Sequence, residues 1–269
     1  MSTTVSIHEA AYACLMESDI AQKLLQVEAL YQHFIALEVL PREATDTVVS
    51  VPVAGKPERP ELVSPRDVKS RKLSSEVGRA TLVHAIAHIE FNAINLALDA
   101  VYRFRDMPDQ YYLDWLLVAR EEAKHFGLLQ ARLKDMGYTY GDMKAHNGLW
   151  EMAVKTDHDT LTRMALVPRV MEARGLDVTP GMIQRLEQVG DMATVEILHV
   201  ILAEEIGHVA IGSRWFKYCC ELQKLEPEPT FIKLLEEYMG NGLRGPFHTE
   251  ARLQAGFSEQ EMEQLAKLG

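Results

Sequence analysis

From Ser74 to Gln223, glycine and proline fall at only a few points, and the stretches between carry apolar residues at three- and four-residue spacing with few strand-like alternations. Such a chain buries its apolar side chains as long amphipathic helices packed on one another. The pattern predicts helix A over about 75–104, a turn at Asp106-Met-Pro-Asp109, helix B over about 110–136 and a connection from Gly137 to Gly148. Helix C is expected over about 149–174, an interruption from Gly175 to Pro180, a short helix over 181–189, and helix D from about Asp191 to Gln223. Four long helices predict an all-α bundle over residues 74–223.

Before the bundle, residues 6–38 read as one or two amphipathic helices, and 41–70 as a proline-rich strap or linker in which Thr47-Val-Val-Ser-Val51 has room only for a short strand. Residues 1–73 thus form an N-terminal arm and strap. Residues 224–269 form a C-terminal arm, with a short helix over about 229–239, a loop containing Gly240-Asn-Gly and Gly245-Pro, and a last helix opened by the capping box Ser258-x-x-Glu261. The whole is expected to make one compact domain.

The balance of 28 basic and 39 acidic residues, net charge −11, repels a phosphate backbone and argues against nucleic acid as a partner. No apolar run reaches the roughly 18 residues of a membrane span, and the first residues have neither a basic start nor an apolar stretch, so the expectation is a cytoplasmic protein with no membrane partner. Cys14, Cys219 and Cys220 offer neither a disulfide framework nor a Cys-x-x-Cys pair and are read as reduced thiols.

The chemistry lies in Glu-x-x-His, which sets a carboxylate and an imidazole one helical turn apart on one face. Three such pairs occur: Glu122/His125, Glu196/His199 and Glu205/His208. With ten histidines in the chain, about one is expected by chance, so the arrangement must decide. A four-helix carboxylate site needs a Glu from each of two helices and a Glu-x-x-His from each of the other two. Helix A offers Glu90 among Val83, Ile86, Ala87, Ala93, Ile94 and Ala97; helix C offers Glu172 above Leu161, Ala165 and Pro168. A lone carboxylate on an apolar stripe costs several kcal/mol unless it snorkels, meets an arginine or holds a metal.

Spacing favours the metal. Glu90 and Glu122 are 32 residues apart, Glu172 and Glu205 are 33 apart, and each midpoint falls at an expected turn. Equal arms at about 1.5 Å per residue bring both members of each pair to one level. Glu196/His199 lies nine residues before Glu205/His208, about 180° around helix D, so only one pair faces the centre. Glu205/His208 is the level match; Glu196/His199 is read as structural, an interface pair in a possible homodimer.

The order Glu90, Glu122-Ala-Lys-His125, Glu172, Glu205-Ile-Gly-His208 resembles the ferritin-like di-iron carboxylate superfamily. The phrases His84-Ala-Ile-Ala-His-Ile-Glu90-Phe-Asn-Ala-Ile, Gly148-Leu-Trp-Glu-Met-Ala, Val167-Pro-Arg-Val-Met-Glu-Ala-Arg-Gly-Leu-Asp-Val-Thr-Pro180 and Glu205-Ile-Gly-His-Val-Ala-Ile-Gly212 resemble a bacterial ferritin-like family catalogued as a domain of unknown function, number 455. The superfamily resemblance implies Glu90 and Glu172 as terminal carboxylates, Glu122 and Glu205 as bridging, catalytically central carboxylates, and His125 and His208 as terminal imidazoles. Such ligation suits two iron ions, with manganese or a mixed Mn/Fe pair as the alternative.

The implied function is an O2-activating oxidoreductase, a hydroxylase or oxidase, acting on a small organic substrate with an unidentified electron donor. The alternatives are a ferroxidase or peroxide-handling protein, against which the long arms argue because they would obstruct a close-packed cage, a tRNA-modifying hydroxylase, and a metal-free helical interaction module. His84 and His88 read as core or interface histidines, or as groups at the site's entrance. Tyr111 and Trp115 read as core packing or part of a substrate pocket, Asp157, His158 and Asp159 as a solvated cluster in helix C, and Arg120, Glu121 and Glu204 as orienting groups or a solvated face.

Overall fold

The computed structural model describes residues 5–268 apart from 45, 69, 70 and 241–244. Apart from an isolated bridge between Leu62 and Ala145, every regular element among the described residues is helical. No helix among them is long and apolar enough to cross a membrane. The chain divides into two compact units, Met1–Val154 and Lys155–Gly269.

The first unit is built on α3 (Glu76–Arg103) and α4 (Asp109–Asp135), which pack along their lengths as an antiparallel hairpin. Ser75 caps α3 by accepting from the Gly78 N–H at 3.2 Å, and α3 then runs uninterrupted because Ile94, Ala97, Leu98 and Val101 are fully enclosed. Around it lie α1 (Ile7–Met16) against α3 and α2 (Ile20–Ile35) against α4. Both have side-chain caps, a capping box at Ser6/Glu9 and Asp19 accepting from Gln22 N–H.

Residues 47–51 form no strand. Their alternation has no partner strand; instead Val51 is buried and its carbonyl accepts from Trp150 Nε1 at 3.1 Å. The strap is tied down again where Val63 N–H donates to the Ala145 carbonyl and Ala145 N–H to that of Glu61. The unit ends with α5 (Gly148–Lys155).

The second unit departs from the expected helix C. That stretch stops after α5, turns through Thr156–Asp159, and restarts as α6 (Thr160–Leu166) because Asp159 competes as an N-cap, accepting from Thr162 N–H at 2.7 Å and from its hydroxyl at 2.6 Å. Residues 167–172 then widen into a π-helix before α7 (Ala173–Gln188). The expected interruption from Gly175 to Pro180 is absent. Leu176, Thr179, Ile183 and Leu186 make one buried stripe along α7, and its burial outweighs the roughly 3 kcal/mol cost of an internal proline.

α8 (Met192–Gln223), capped by Asp191, packs on α6, the π-helix and α7. α9 (Pro227–Met239), α10 (Thr249–Gln254) and α11 (Glu259–Leu268) complete the unit, and the Ser258/Glu261 box caps α11 in both directions, at 3.0 and 2.8 Å. The expected Gly240-Asn-Gly loop falls partly outside the described residues.

Candidate metal centre

Glu90 sits at the middle of α3, on a stripe where a carboxylate would otherwise be costly, and it is 4% exposed. Across the hairpin, Glu122 and His125 of α4 are both fully buried. His125 Nδ1 lies 3.4 Å from Glu90 Oε2 and 3.4 Å from Glu122 Oε2. A ligand atom from each of the three lies within 4.8 Å of the others, the separation expected of groups that share one cation. The equal arms inferred from the turn at residue 106 thus place the three groups at one level.

The charges in this cluster are strongly perturbed. Burial, then the neighbouring Glu122 carboxylate, pushes the Glu90 carboxyl up to about 8. Burial alone would discharge His125, but its bonds to Glu122 and Glu90 outweigh that and push the imidazolium up to about 11. Two clustered carboxylates in a dry site demand a positive charge, and a proton on His125 supplies it when no other cation does. A metal ion would take over that role and release the proton. The donor set, carboxylate oxygens with one imidazole, fits a first-row divalent ion.

In the second unit Glu205 and His208 lie on the buried side of α8, 9% and 1% exposed, with His208 Nδ1 at 3.5 Å from Glu205 Oε1. Glu196 and His199 are exposed, as their rotation around the helix requires. Glu172, 8% exposed, is the last residue of the π-helix. Pro168 explains the widening: it has no N–H to continue the ladder, and the Ala173 N–H instead reaches five residues back to the Pro168 carbonyl. α8 passes close to this proline, and a Cβ on Gly212 would overlap its ring.

Arg169, one residue further on, is fully buried. It donates two charge-assisted hydrogen bonds to the Glu261 carboxylate at 2.7 and 2.8 Å, donates to Ser213 Oγ at 3.2 Å, and stands over the rings of Phe216, Phe231 and Phe257 at 4.7, 4.1 and 4.4 Å. The π-turn that carries Glu172 is therefore bolted to the C-terminal helix. Sequence reasoning missed both features; a proline four residues before Glu172 was the available signal for the first.

The remaining residues sort as follows. His84 accepts from Gly141 N–H at 2.9 Å and stacks on Tyr140, while His88 meets the Tyr140 hydroxyl at 2.8 Å and the His146 carbonyl at 3.1 Å; both belong to a packing cluster away from the Glu90 face of α3. Tyr111 and Trp115 are buried and meet edge to face. Arg120 pairs at the surface with Glu28 at 2.7 Å, tying α4 to α2. Asp157, His158 and Asp159 lie in the turn before α6, not within a helix, and the three cysteines are free and buried.

Residues 16–263 match the family described as "Protein of unknown function (DUF455)". The chain belongs to that family. It is also similar to a protein of Haemophilus influenzae named "Uncharacterized protein", 44% identical over 257 residues that cover 93% of this chain and 86% of the relative. No solved structure matches the chain.

Proposed function

We propose that this member of the DUF455 family is a dinuclear-metal carboxylate protein with a ferritin-like four-helix bundle, and that it is an O2-activating oxidoreductase on a small organic substrate. The proposed ligands are the six that the order along the sequence implies, Glu90, Glu122, His125, Glu172, Glu205 and His208. The observation that carries the reading is the convergence of Glu90, Glu122 and His125 in a dry cluster, with Glu205/His208 buried and the rival Glu196/His199 exposed. The two hairpins repeat one arrangement, a Glu on the first helix and a Glu-x-x-His on the second.

The chain's own residues would fix the ligand geometry, keep water from the ions and exchange the proton on His125 for a metal cation. Two iron ions, or manganese in their place, would supply dioxygen binding and redox chemistry. The test is elemental analysis of protein from iron-rich medium, then the optical spectrum before and after anaerobic reduction and O2 addition. About two irons per chain and an O2-dependent spectral change support the reading. Absence of stoichiometric metal under aerobic and reducing purification overturns it, as does metal content unchanged in Glu122→Ala.

A further inference from the structure

Beneath the strap of the first unit lies a cavity of about 80 Å³ whose walls include Lys56, Phe91, Asn92, Asn95, Tyr140 and Trp150. It is not part of the metal cluster. Asn92 follows Glu90 by two residues, about 200° around α3, so the two side chains leave the helix on opposite sides.

The polar groups at its wall are fixed in orientation. Lys23 is fully buried, and its ammonium donates to the carbonyls of Leu15 and Gly55, at 3.0 and 2.8 Å, and to Oδ1 of Asn95. An ammonium has no acceptor, so Oδ1 must face it, and Nδ2 is the donor that Asn95 has left for the cavity. Asn92 is fixed in the opposite sense. Its Nδ2 donates to the His88 carbonyl at 2.9 Å, which leaves Oδ1 as its acceptor. Both ring nitrogens of His88 are engaged: Nδ1 meets the Tyr140 hydroxyl, and Nε2 meets the His146 carbonyl and lies 3.1 Å from Asn92 Nδ2.

The charge around this cavity is one-sided. All three acceptors of Lys23 are neutral, and burial lowers its ammonium to about 8, still charged near neutrality. Glu17 acts on it through space, with no ion pair between them among the described residues. Lys56 adds a second, half-buried ammonium, and the cavity wall includes no acidic side chain. Burying a cation without a counter-ion is costly, and an anion in the cavity would offset that cost through the polarised Asn95 amide. The strap holds the roof rigidly: Gly55 crosses α1 so closely that a Cβ would overlap the Met16 backbone.

We propose that this cavity binds a small 2-hydroxy monocarboxylate. The carboxylate accepts from Asn95 Nδ2 and Lys56 Nζ, and the neighbouring hydroxyl donates to Asn92 Oδ1. An amino acid is disfavoured because its ammonium would join two others. The volume is below the roughly 150 Å³ that admits benzene, which limits the ligand to the size of glycolate or lactate.

The test is titration calorimetry of the full chain with glycolate, L-lactate and the neutral lactamide, on protein as purified and again after chelator treatment, because 2-hydroxy acids also chelate metals. Saturable one-to-one binding of the two acids in both preparations, without binding of lactamide, is the expected result. Lys56→Met and Asn92→Leu, each checked for native helicity, should weaken it by about tenfold. No saturable binding, equal binding of lactamide, binding confined to metal-loaded protein, or unchanged affinity in both variants would overturn the proposal.

Discussion

The α3–α4 hairpin and the α6–α8 hairpin each bury a glutamate on the first arm and a Glu-x-x-His on the second, but they hold the glutamate by different means. In the first, the glutamate rides an unbroken helix, and its surroundings on that helix are apolar. In the second it ends a π-turn opened by Pro168 and anchored through Arg169 to Glu261, 92 residues further along the chain. The first hairpin gets its precision from continuous packing. The second depends on buried ion pairs, Arg169 with Glu261 and Asp177 with Arg252, so the position of Glu172 is coupled to whether the C-terminal helices are docked.

That contrast breaks most sharply at Glu261. Glu261→Ala leaves the Arg169 guanidinium buried without its carboxylate and also removes half of the α11 capping box. The expected loss is about 3–5 kcal/mol, read from urea unfolding midpoints. The double replacement Arg169→Met with Glu261→Leu should recover most of it, because an apolar pair no longer carries a desolvation cost. A loss below about 1 kcal/mol in the single variant would show that the pair anchors nothing.

A smaller effect of opposite sign in the two hairpins tests the packing side. At Gly212 a Cβ would run into Pro168, whereas at Gly127 in α4 it would meet nothing within 4 Å. Gly212→Ala should cost about 1–3 kcal/mol by forcing α8 away from the π-turn. Gly127→Ala should instead stabilise by about 0.5–1 kcal/mol, the ordinary gain from removing a helical glycine. Equal shifts in the midpoints would mean that α8 does not need its close approach.

The parts of this contrast that could be read in the sequence are those written in local periodicity. α3, α4 and α8 have the expected limits because each carries an unbroken apolar stripe, and the choice of Glu205/His208 over Glu196/His199 followed from helix rotation together with the level match to Glu172. The break after α5 was not legible, since Asp157-His-Asp159 suits a helical surface as well as a cap. Nor was the burial of Lys23 and Arg169. Lys23 meets Asn95 72 residues away and Arg169 meets Glu261 92 residues away, and such distant groups cannot be read from a cation's neighbours on its own helix.

The mildest test concerns pH and belongs to the first hairpin. His84 is fully enclosed, and burial holds its imidazole down at about 4, against 6.5 in an exposed chain. Between those values the unfolded chain takes up a proton that the folded chain refuses, so acid favours unfolding. The stability that neutral His84 allows is complete above pH 6.5 and is lost as pH falls towards 4. His84→Gln keeps an acceptor for the Gly141 N–H but cannot titrate. The variant and the parent should therefore differ by a constant amount above neutrality, and the parent should lose about 1 kcal/mol more than the variant on going to pH 5.5. Parallel stability curves down to that pH would mean that His84 is protonated in the fold, and the dry packing of the His84–Tyr140 stack would have to be abandoned.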